Sequence, residues 1–307
     1  MNHLVVGIPT YKRPNMLTKL VLSIYDCNLD SQYISKIDIV VVDNDAEKSA
    51  NKTCLELEKK CPETFNIHYF CYPEKGLSNV RNEILKRAIS LNPTFIASID
   101  DDEYVTPEWL NELTKTIVKN KADIVLGTVI PDFEKKVPIY IAKYFLASEI
   151  PDQSQLKAMD KSANYMIRTS FVTKNKLSFD VRFNTTGAED TFFGVQAVKK
   201  GAKIFWAAKA IVYETIPESR STFPWLFKRT YRSAITYTYI LILEKQYLKI
   251  LKKIMVSFIY FFIGIVSLLL LPFNIKERYY GALKLADSFG GFAALFNVKY
   301  HEYSKKR

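Results

Sequence analysis

Short apolar runs alternate with amphipathic stretches along the first two-thirds of the chain. Residues 3–8 (HLVVGI) are rich in β-branched side chains and stop at Pro9, a pattern that predicts a strand buried on both faces. From Pro14 onward, Met16, Leu17, Leu20, Val21 and Ile24 fall at helical spacing, and proline suits the first turn of a helix. Residues 37–42 (IDIVVV) predict a second buried strand, which runs into Asp43-Asn44-Asp45. The pattern then predicts a helix over 46–60, a strand over 66–72 and a helix over 77–88. A fourth strand is expected over 94–99 (TFIASI), ending in Asp100-Asp101-Asp102. Strands alternating with helices argue for βαβ units and a mostly parallel sheet. In such sheets ligands bind outside the carboxyl ends of the strands. Polar groups collect at those ends here: Thr10 and Tyr11, then Asp43, then the acidic triplet. A site is expected there.

Further on, a helix is expected over 109–120 and a strand over 122–130, followed by an irregular, Pro- and Lys-bearing stretch at 131–160. Residues 165–168 and 204–212 read as strands around a helix at 190–200. No internal repeat or low-complexity segment interrupts this order. Residues 254–275 (IMVSFIYFFIGIVSLLLLPFNI) carry no charge and reach the length of a membrane span. A buried helix of a soluble domain is the alternative. Lys245, Lys249, Lys252 and Lys253 precede the stretch, and Lys276, Arg278 and Lys284 follow it. Positive charge on both flanks would keep both cytoplasmic, so a re-entrant or in-plane helix stands beside a simple span. Residues 233–243 and 281–296 suit helices lying along an interface.

Charge sharpens that division. The chain of 307 residues has 43 Lys and Arg against 32 Asp and Glu, a net of +11. Residues 225–307 hold 14 of the basic groups and four of the acidic ones, which leaves 29 against 28 in the rest. A nearly neutral body (1–224) therefore carries a basic, apolar tail (225–307), and an anionic membrane surface is expected as its partner rather than nucleic acid. With 48% hydrophobic residues, wholesale disorder is excluded. Cys27, Cys54, Cys61 and Cys71 form no C-x-x-C pair, and His3, His68 and His301 are scattered. Free thiols in a reducing compartment are expected, and a Cys/His zinc site is not. The N-terminus lacks the pattern of a secretory signal, so the body is expected in the cytosol.

Three adjacent carboxylates at a strand end repel one another unless a cation or donors compensate. A hard divalent cation with oxygen ligands, shared with substrate phosphate, is one compensation for Asp100-Asp101-Asp102-Glu103. A solvated acidic turn before the next helix is the other. A second acidic pair stands in Thr186-Gly187-Ala188-Glu189-Asp190-Thr191, where Gly187 permits an unusual backbone angle. Those carboxylates either complement a helix N-terminus or supply a general base.

Five segments together resemble the family-2 glycosyltransferases of the GT-A fold. They are Gly7-Ile8-Pro9-Thr10-Tyr11-Lys12-Arg13-Pro14, Val41-Val42-Asp43-Asn44, Gly76-Leu77-Ser78-Asn79-Val80-Arg81-Asn82, the Asp100-Asp101-Asp102 triplet, and Gly187-Ala188-Glu189-Asp190. Their order and spacing match over about residues 3–235. The tail is similar to that of membrane-bound bacterial members. The resemblance implies a Rossmann-like mixed sheet flanked by helices and an inverting transfer from a nucleotide sugar, a UDP-sugar first of all, to a glycan or lipid-linked hydroxyl. It also implies work at the cytoplasmic face of a bacterial membrane, in cell-surface polysaccharide synthesis.

Carried over by position, Pro9, Thr10, Tyr11, Arg13 and Asp43 would hold the nucleotide, with Asp43 accepting from a uracil-like N–H. Asp100 would contact the ribose side, Asp101 would support it, and Asp102 would ligate Mn²⁺ or Mg²⁺. Asp190 would be the base, with Glu189 beside it. Arg81 and the Arg229/Arg232 pair would stabilise the leaving diphosphate, with plain surface charge as the other account of that pair. Some relatives place a His after the last core strand, where this chain has Tyr213-Glu214, so Glu214 is left as a further contributor.

Two other classes compete. A nucleotidyltransferase shares an α/β body and an acidic metal site, but its Gly-rich triphosphate loop is missing from Pro9-Thr10-Tyr11-Lys12-Arg13. A catalytically dead, membrane-docked scaffold is the other, and the intact acidic groups argue against it. Neither a P-loop nor a dinucleotide fingerprint is present.

Overall fold

A computed structural model describes residues 2–146, 150–159, 163–270 and 274–301. In chain order its elements are β1 (Asn2–Thr10), α1 (Pro14–Tyr25), β2 (Ile34–Asp43), α2 (Asn51–Glu58), β3 (Phe65–Cys71), α3 (Leu77–Ser90) and β4 (Phe95–Ser98). There follow β5 (Glu103–Val105), α4 (Trp109–Lys119), β6 (Ile124–Phe133), α5 (Ile139–Phe145), β7 (Gln155–Leu156), β8 (Tyr165–Arg168), α6 (Thr169–Asn175), α7 (Glu189–Lys199) and β9 (Ile204–Ile216). The chain ends in α8 (Phe223–Leu243), α9 (Tyr247–Leu269) and α10 (Ile275–Leu295). Two compact units are formed: Met1–Asp132, Ala147–Asn184 and Glu189–Thr215 in the first, and Phe133–Leu146, Thr185–Ala188 and Ile216–Arg307 in the second.

The first unit is built on one sheet in the order β3-β2-β1-β4-β8-β6-β9-β5, with β7 paired to β9. β3, β2, β1 and β4 run parallel, and β8 turns the sheet antiparallel against β4 and β6. Leu4, Val6 and Ile8 of β1 face one core with Leu17, Leu20 and Ile24 of α1, while Val5 faces the other with Val80 and Ile84 of α3. Both faces are covered, which is why the strand reads as an unbroken apolar run. Gly7 lets α3 close on that second face, because a Cβ there would meet Ile84 Cγ2 at 2.3 Å. Fully buried Asn164, just ahead of β8, ties β6, β9 and α4 together: its Nδ2 donates to the carbonyls of Thr128 and Ala210, and its Oδ1 accepts from Trp109 Nε1 at 2.7 Å.

The elements expected ahead of residue 225 are present, with three differences; beyond it the helices expected over 233–243 and 281–296 start earlier, at Phe223 and Ile275, and residues 271–273 of the apolar stretch expected over 254–275 lie outside the described residues. The helix expected from residue 46 starts at Asn51, because Asp43 captures the backbone N–H groups of Asp45 and Ala50 and holds the intervening segment as a loop. The stretch expected to be irregular contains the end of β6, α5 and β7. β5 and α6 are additional: β5 is only three residues long and exists by pairing with β9, a partner distant in sequence.

In the second unit α10 packs against both α8 and α9. α9 is long and apolar enough to cross a membrane, and little of it is buried within the protein.

Candidate active site

The parallel register brings the carboxyl ends of the strands level, with Thr10 of β1 opposite Asp43 of β2, and Asp43 opposite Cys71 of β3. On the other side of β1, Gly7 is opposite Ser98, so the chain leaving β4 delivers Asp100, Asp101 and Asp102 to the same edge. These strand ends, where the sequence leads one to expect a site, lie within one unit.

Arg81 is the centre of the arrangement. It lies on the second turn of α3, within the Gly76–Asn82 motif, and is 6% exposed. Its Nη2 donates to Asp100 Oδ1 at 2.8 Å and its Nε to Glu189 Oε1 at 3.1 Å. The two carboxylates, though opposed by burial, hold the guanidinium firmly protonated. The rest of that motif fixes where Arg81 stands. Ser78 Oγ donates to the Asp180 carbonyl at 2.7 Å, and Asn82 exchanges two hydrogen bonds with the backbone of Phe179. Gly76 has φ +131°, and a Cβ there would meet Asn184 at 2.4 Å, so glycine is required for the close approach.

A second arginine serves the other two acids. Arg13, just ahead of α1, donates through Nη1 to Asp101 Oδ1 at 2.9 Å and to Asp102 Oδ2 at 3.0 Å. Thr10 Oγ1 adds a 2.8 Å bond to Asp101 Oδ2. Burial nevertheless pushes Asp101 up to about 6, with Arg13 pulling against it. Asp100 is raised by burial too, against the pull of Arg81.

Glu103 was named in the sequence only as the end of the acidic run, yet it braces the turn. Its Oε2 accepts from the backbone N of Asp100 at 2.9 Å, while the backbone N of Thr215 donates to the Asp102 carbonyl at 2.8 Å. Glu103 is opposite Glu214 across β5 and β9, and burial followed by Asp100 raises its carboxyl well above the usual range. No local pattern marks this role, because it depends on the short β5 pairing.

At the start of α7, Glu189 is 3% exposed and burial, then Asp190, push it up to about 7 against the pull of Arg81. Asp190 is half-buried, and its Oδ1 accepts from Thr191 N and Thr191 Oγ1, which fixes its rotamer. Gly187 and Ala188 both have left-handed φ values, +73° and +68°. Pro9 and Tyr11 are half-buried beside Thr10. Asp43 is fully buried, and its oxygens accept from Asp45 N, Ala50 N and the Tyr69 hydroxyl, so its visible work is to brace the β2–α2 loop. Arg229 and Arg232 lie on α8 in the second unit, Arg229 over the Trp225 ring.

The donor set bears on a metal. Among the described residues no group of three or more His, Cys, Asp and Glu side chains forms a ready-made cage. The cluster instead gathers seven carboxylates (Asp100, Asp101, Asp102, Glu103, Glu189, Asp190, Glu214), four of them bonded by Arg13 and Arg81. Hard oxygen donors of this kind fit a cation that takes one or two protein ligands and completes its shell with phosphate and water.

Residues 5–187 match the model of "Glycosyl transferase family 2". The chain is 29% identical over 236 residues to the succinoglycan biosynthesis protein ExoM of Rhizobium meliloti, covering 76% of this chain and 74% of that one. It is 27% identical over 179 residues to the putative glycosyltransferase EpsH of Bacillus subtilis, covering 55% of this chain and 49% of the relative. Among solved structures, S. aureus TarS 1–349 in complex with UDP-GlcNAc superposes with a TM-score of 0.55 at 18% identity, over 97% of this chain and 93% of that one. At that identity the likeness concerns the fold, which is of the GT-A kind.

Proposed function

The chain belongs to glycosyl transferase family 2, and on that premise we propose that it moves a sugar from a UDP-sugar, with inversion, to a hydroxyl of a glycan or lipid-linked acceptor. The observation that carries this reading is the Arg81 fork, which joins the acidic turn after β4 to the acidic pair that opens α7. Donor-binding and acceptor-activating groups are thereby held in one rigid frame. A UDP-sugar is supported by the TarS structures, which hold UDP-GlcNAc and UDP. Surface-polysaccharide synthesis is supported by the name of the Rhizobium relative.

In this reading Pro9, Thr10, Tyr11, Arg13 and Asp43 frame the nucleotide, and Asp100 and Asp101 its ribose side. Asp102 would hold Mn²⁺ or Mg²⁺, which would neutralise charge on the diphosphate as it leaves. Asp190 takes the proton of the acceptor hydroxyl as its oxygen bonds to the anomeric carbon. The carbon–oxygen bond to the diphosphate breaks on the opposite face, and its electron pair leaves with UDP. Glu189 and Arg81 act as positioning residues. Glu214 faces the acidic turn from β9 and is assigned to the acceptor or diphosphate side. The roles of Arg229 and Arg232 rest on the sequence resemblance. The apolar α9 and the basic 225–307 region support work at the cytoplasmic face of a membrane.

The test is nucleoside-diphosphate release from a panel of nucleotide sugars, with Mn²⁺, with Mg²⁺ and with EDTA. Metal-dependent UDP release from one donor is expected. Pyrophosphate release from a sugar phosphate and a nucleoside triphosphate would instead indicate a nucleotidyltransferase. Silence with every donor, even with membrane lipid extract as acceptor, would indicate a scaffold.

A further inference from the structure

The second unit packs α10 against α8 and α9, and the close approaches are made at small residues. A Cβ on Gly264 would meet Leu285 Cγ at 2.4 Å, one on Gly281 would meet Ser267 Cβ at 2.3 Å, and one on Gly290 would meet the Tyr231 carbonyl at 2.3 Å. Ser288 Oγ donates to the Ser257 carbonyl at 2.7 Å, buried between α10 and α9. The face of α9 turned towards α10 is thus committed.

The opposite face is bare. Leu248 is 85% exposed, Phe262 63% and Leu269 75%, with Met255, Ile259 and Val266 on the same stripe. Lys245, Lys249 and Lys252 are exposed at its N-terminal end, and Lys276 and Arg278 beyond its C-terminal end. Cationic groups at both ends of an apolar face complement anionic headgroups.

We propose that α9 lies flat at the headgroup–acyl boundary of an anionic bilayer, with its bare stripe immersed and α10 above it, and does not cross. This rests on the membrane reading given above and adds the geometry of docking. The argument is the position of charge on α10. The Nζ of Lys284, near the midpoint of that helix, lies 3.7 Å from the ring centroid of Tyr260, near the midpoint of α9. Lys253 is paired with Asp287 between the same two helices. If α9 crossed the bilayer, its packed partner would carry Lys284 to mid-depth, where an ionised side chain is costly. A flat α9 keeps Lys284, Lys253 and Asp287 on the water side of the helix. It also puts both basic ends at one headgroup layer, which a crossing helix would divide between two.

The experiment adds the full chain to preformed, sealed vesicles of phosphatidylcholine with or without phosphatidylglycerol. Tyr247→Cys and Ile275→Cys, each in a background of Cys61→Ser and Cys71→Ser, are treated with a membrane-impermeant maleimide. Both positions should label from outside, and binding should require the anionic lipid. Phe262→Trp should be quenched more by shallow than by deep brominated acyl chains, and Phe262→Glu should lower partitioning on the order of 10-fold. Protection of Ile275→Cys until the vesicles are lysed would overturn the proposal in favour of a crossing or re-entrant helix. Absence of vesicle binding, with a dimer in solution that Phe262→Glu dissolves, would assign the stripe to a second copy of the chain. UDP release measured in detergent is a separate readout: its failure with vesicle binding intact would refute the enzymatic reading and leave the docking one standing.

Discussion

Arg81 and Glu189 are 108 positions apart in the chain and joined by a 3.1 Å hydrogen bond in which both side chains are buried. Because the same guanidinium also holds Asp100, it bonds both acidic segments directly. Arg81→Ala would leave two carboxylates without their cation, and breaking a buried pair in this way typically costs about 3–5 kcal/mol. Arg81→Lys keeps the charge but loses the fork, and should be nearer wild type in stability than in donor turnover. Urea midpoints and UDP release on both variants check this. A fully stable Arg81→Ala would show that the pair does not hold the segments together.

The state of Glu189 gives a pH dependence. Its carboxyl is raised to about 7 from an ordinary value near 4.5, by burial and then by Asp190. Between these values the folded chain binds more protons than the unfolded one, so stability falls as pH rises from about 4.5 to about 7. Asp101, raised to about 6 by burial, adds a slope of the same sign. Glu189→Gln should therefore flatten the fall of melting temperature over this window, while Asp101 leaves a residual slope. A variant whose profile parallels that of the wild type would place the titration elsewhere.

How much of this was legible depends on how local each cause is. The alternation of β1, α1, β2 and β3 is written in runs of apolar residues because those strands are covered on both faces. The polar ends of the strands are equally legible, since parallel pairing must align Thr10, Asp43 and the segment after Ser98. What escaped depends on distant partners. β5 requires β9, and Glu103 becomes a brace only once that pairing forms the turn. The reciprocal bonds of Asn82 with Phe179 turn a helix-surface amide into the anchor of Arg81, and no periodicity announces them. Nor does spacing show that Asp43 outcompetes helix formation up to Ala50.

The proposed base is tested at Asp190, whose Oδ1 accepts from Thr191 N and Thr191 Oγ1. Asp190→Asn preserves the shape and the contact from the Thr191 hydroxyl but cannot accept a proton at neutral pH. kcat should fall at least ~10²-fold with donor affinity little changed. Wild-type turnover by this variant in the presence of metal would remove Asp190 from the mechanism.

Asp102 separates metal binding from donor binding. It shares Arg13 with Asp101, so removing it leaves Arg13 a remaining partner and should do little to the fold. If Asp102 holds the cation, Asp102→Ala should weaken donor binding and also abolish its sensitivity to EDTA. Calorimetric titration of UDP with and without EDTA reads both effects. Equal, undiminished affinities in the two conditions would refute the assignment.

Away from the site, Asp38 offers a test of the sheet alone. It is 1% exposed on β2 and surrounded by donors: His68 Nε2 at 2.8 Å, Lys36 Nζ at 3.0 Å, Asn66 Nδ2 at 3.1 Å, and His3. Burial pushes its carboxyl up, but His68, Lys36, His3 and Asn66 together outweigh it and hold the group down at about 2, against an ordinary 3.8. The unfolded chain therefore binds more protons than the folded one between these values. The stability Asp38 contributes is present above about pH 4 and is lost as pH falls through about 2. A shift of this size corresponds to about 2 kcal/mol. Asp38→Asn should thus be destabilised by about that much at pH 6 and should converge with the wild type in acid. Urea denaturation at pH 6 and at pH 2.5 makes the comparison. A deficit that persists undiminished at the lower pH would mean that packing or lost hydrogen bonds, and not the ionised carboxylate, hold β1, β2 and β3 together at this point.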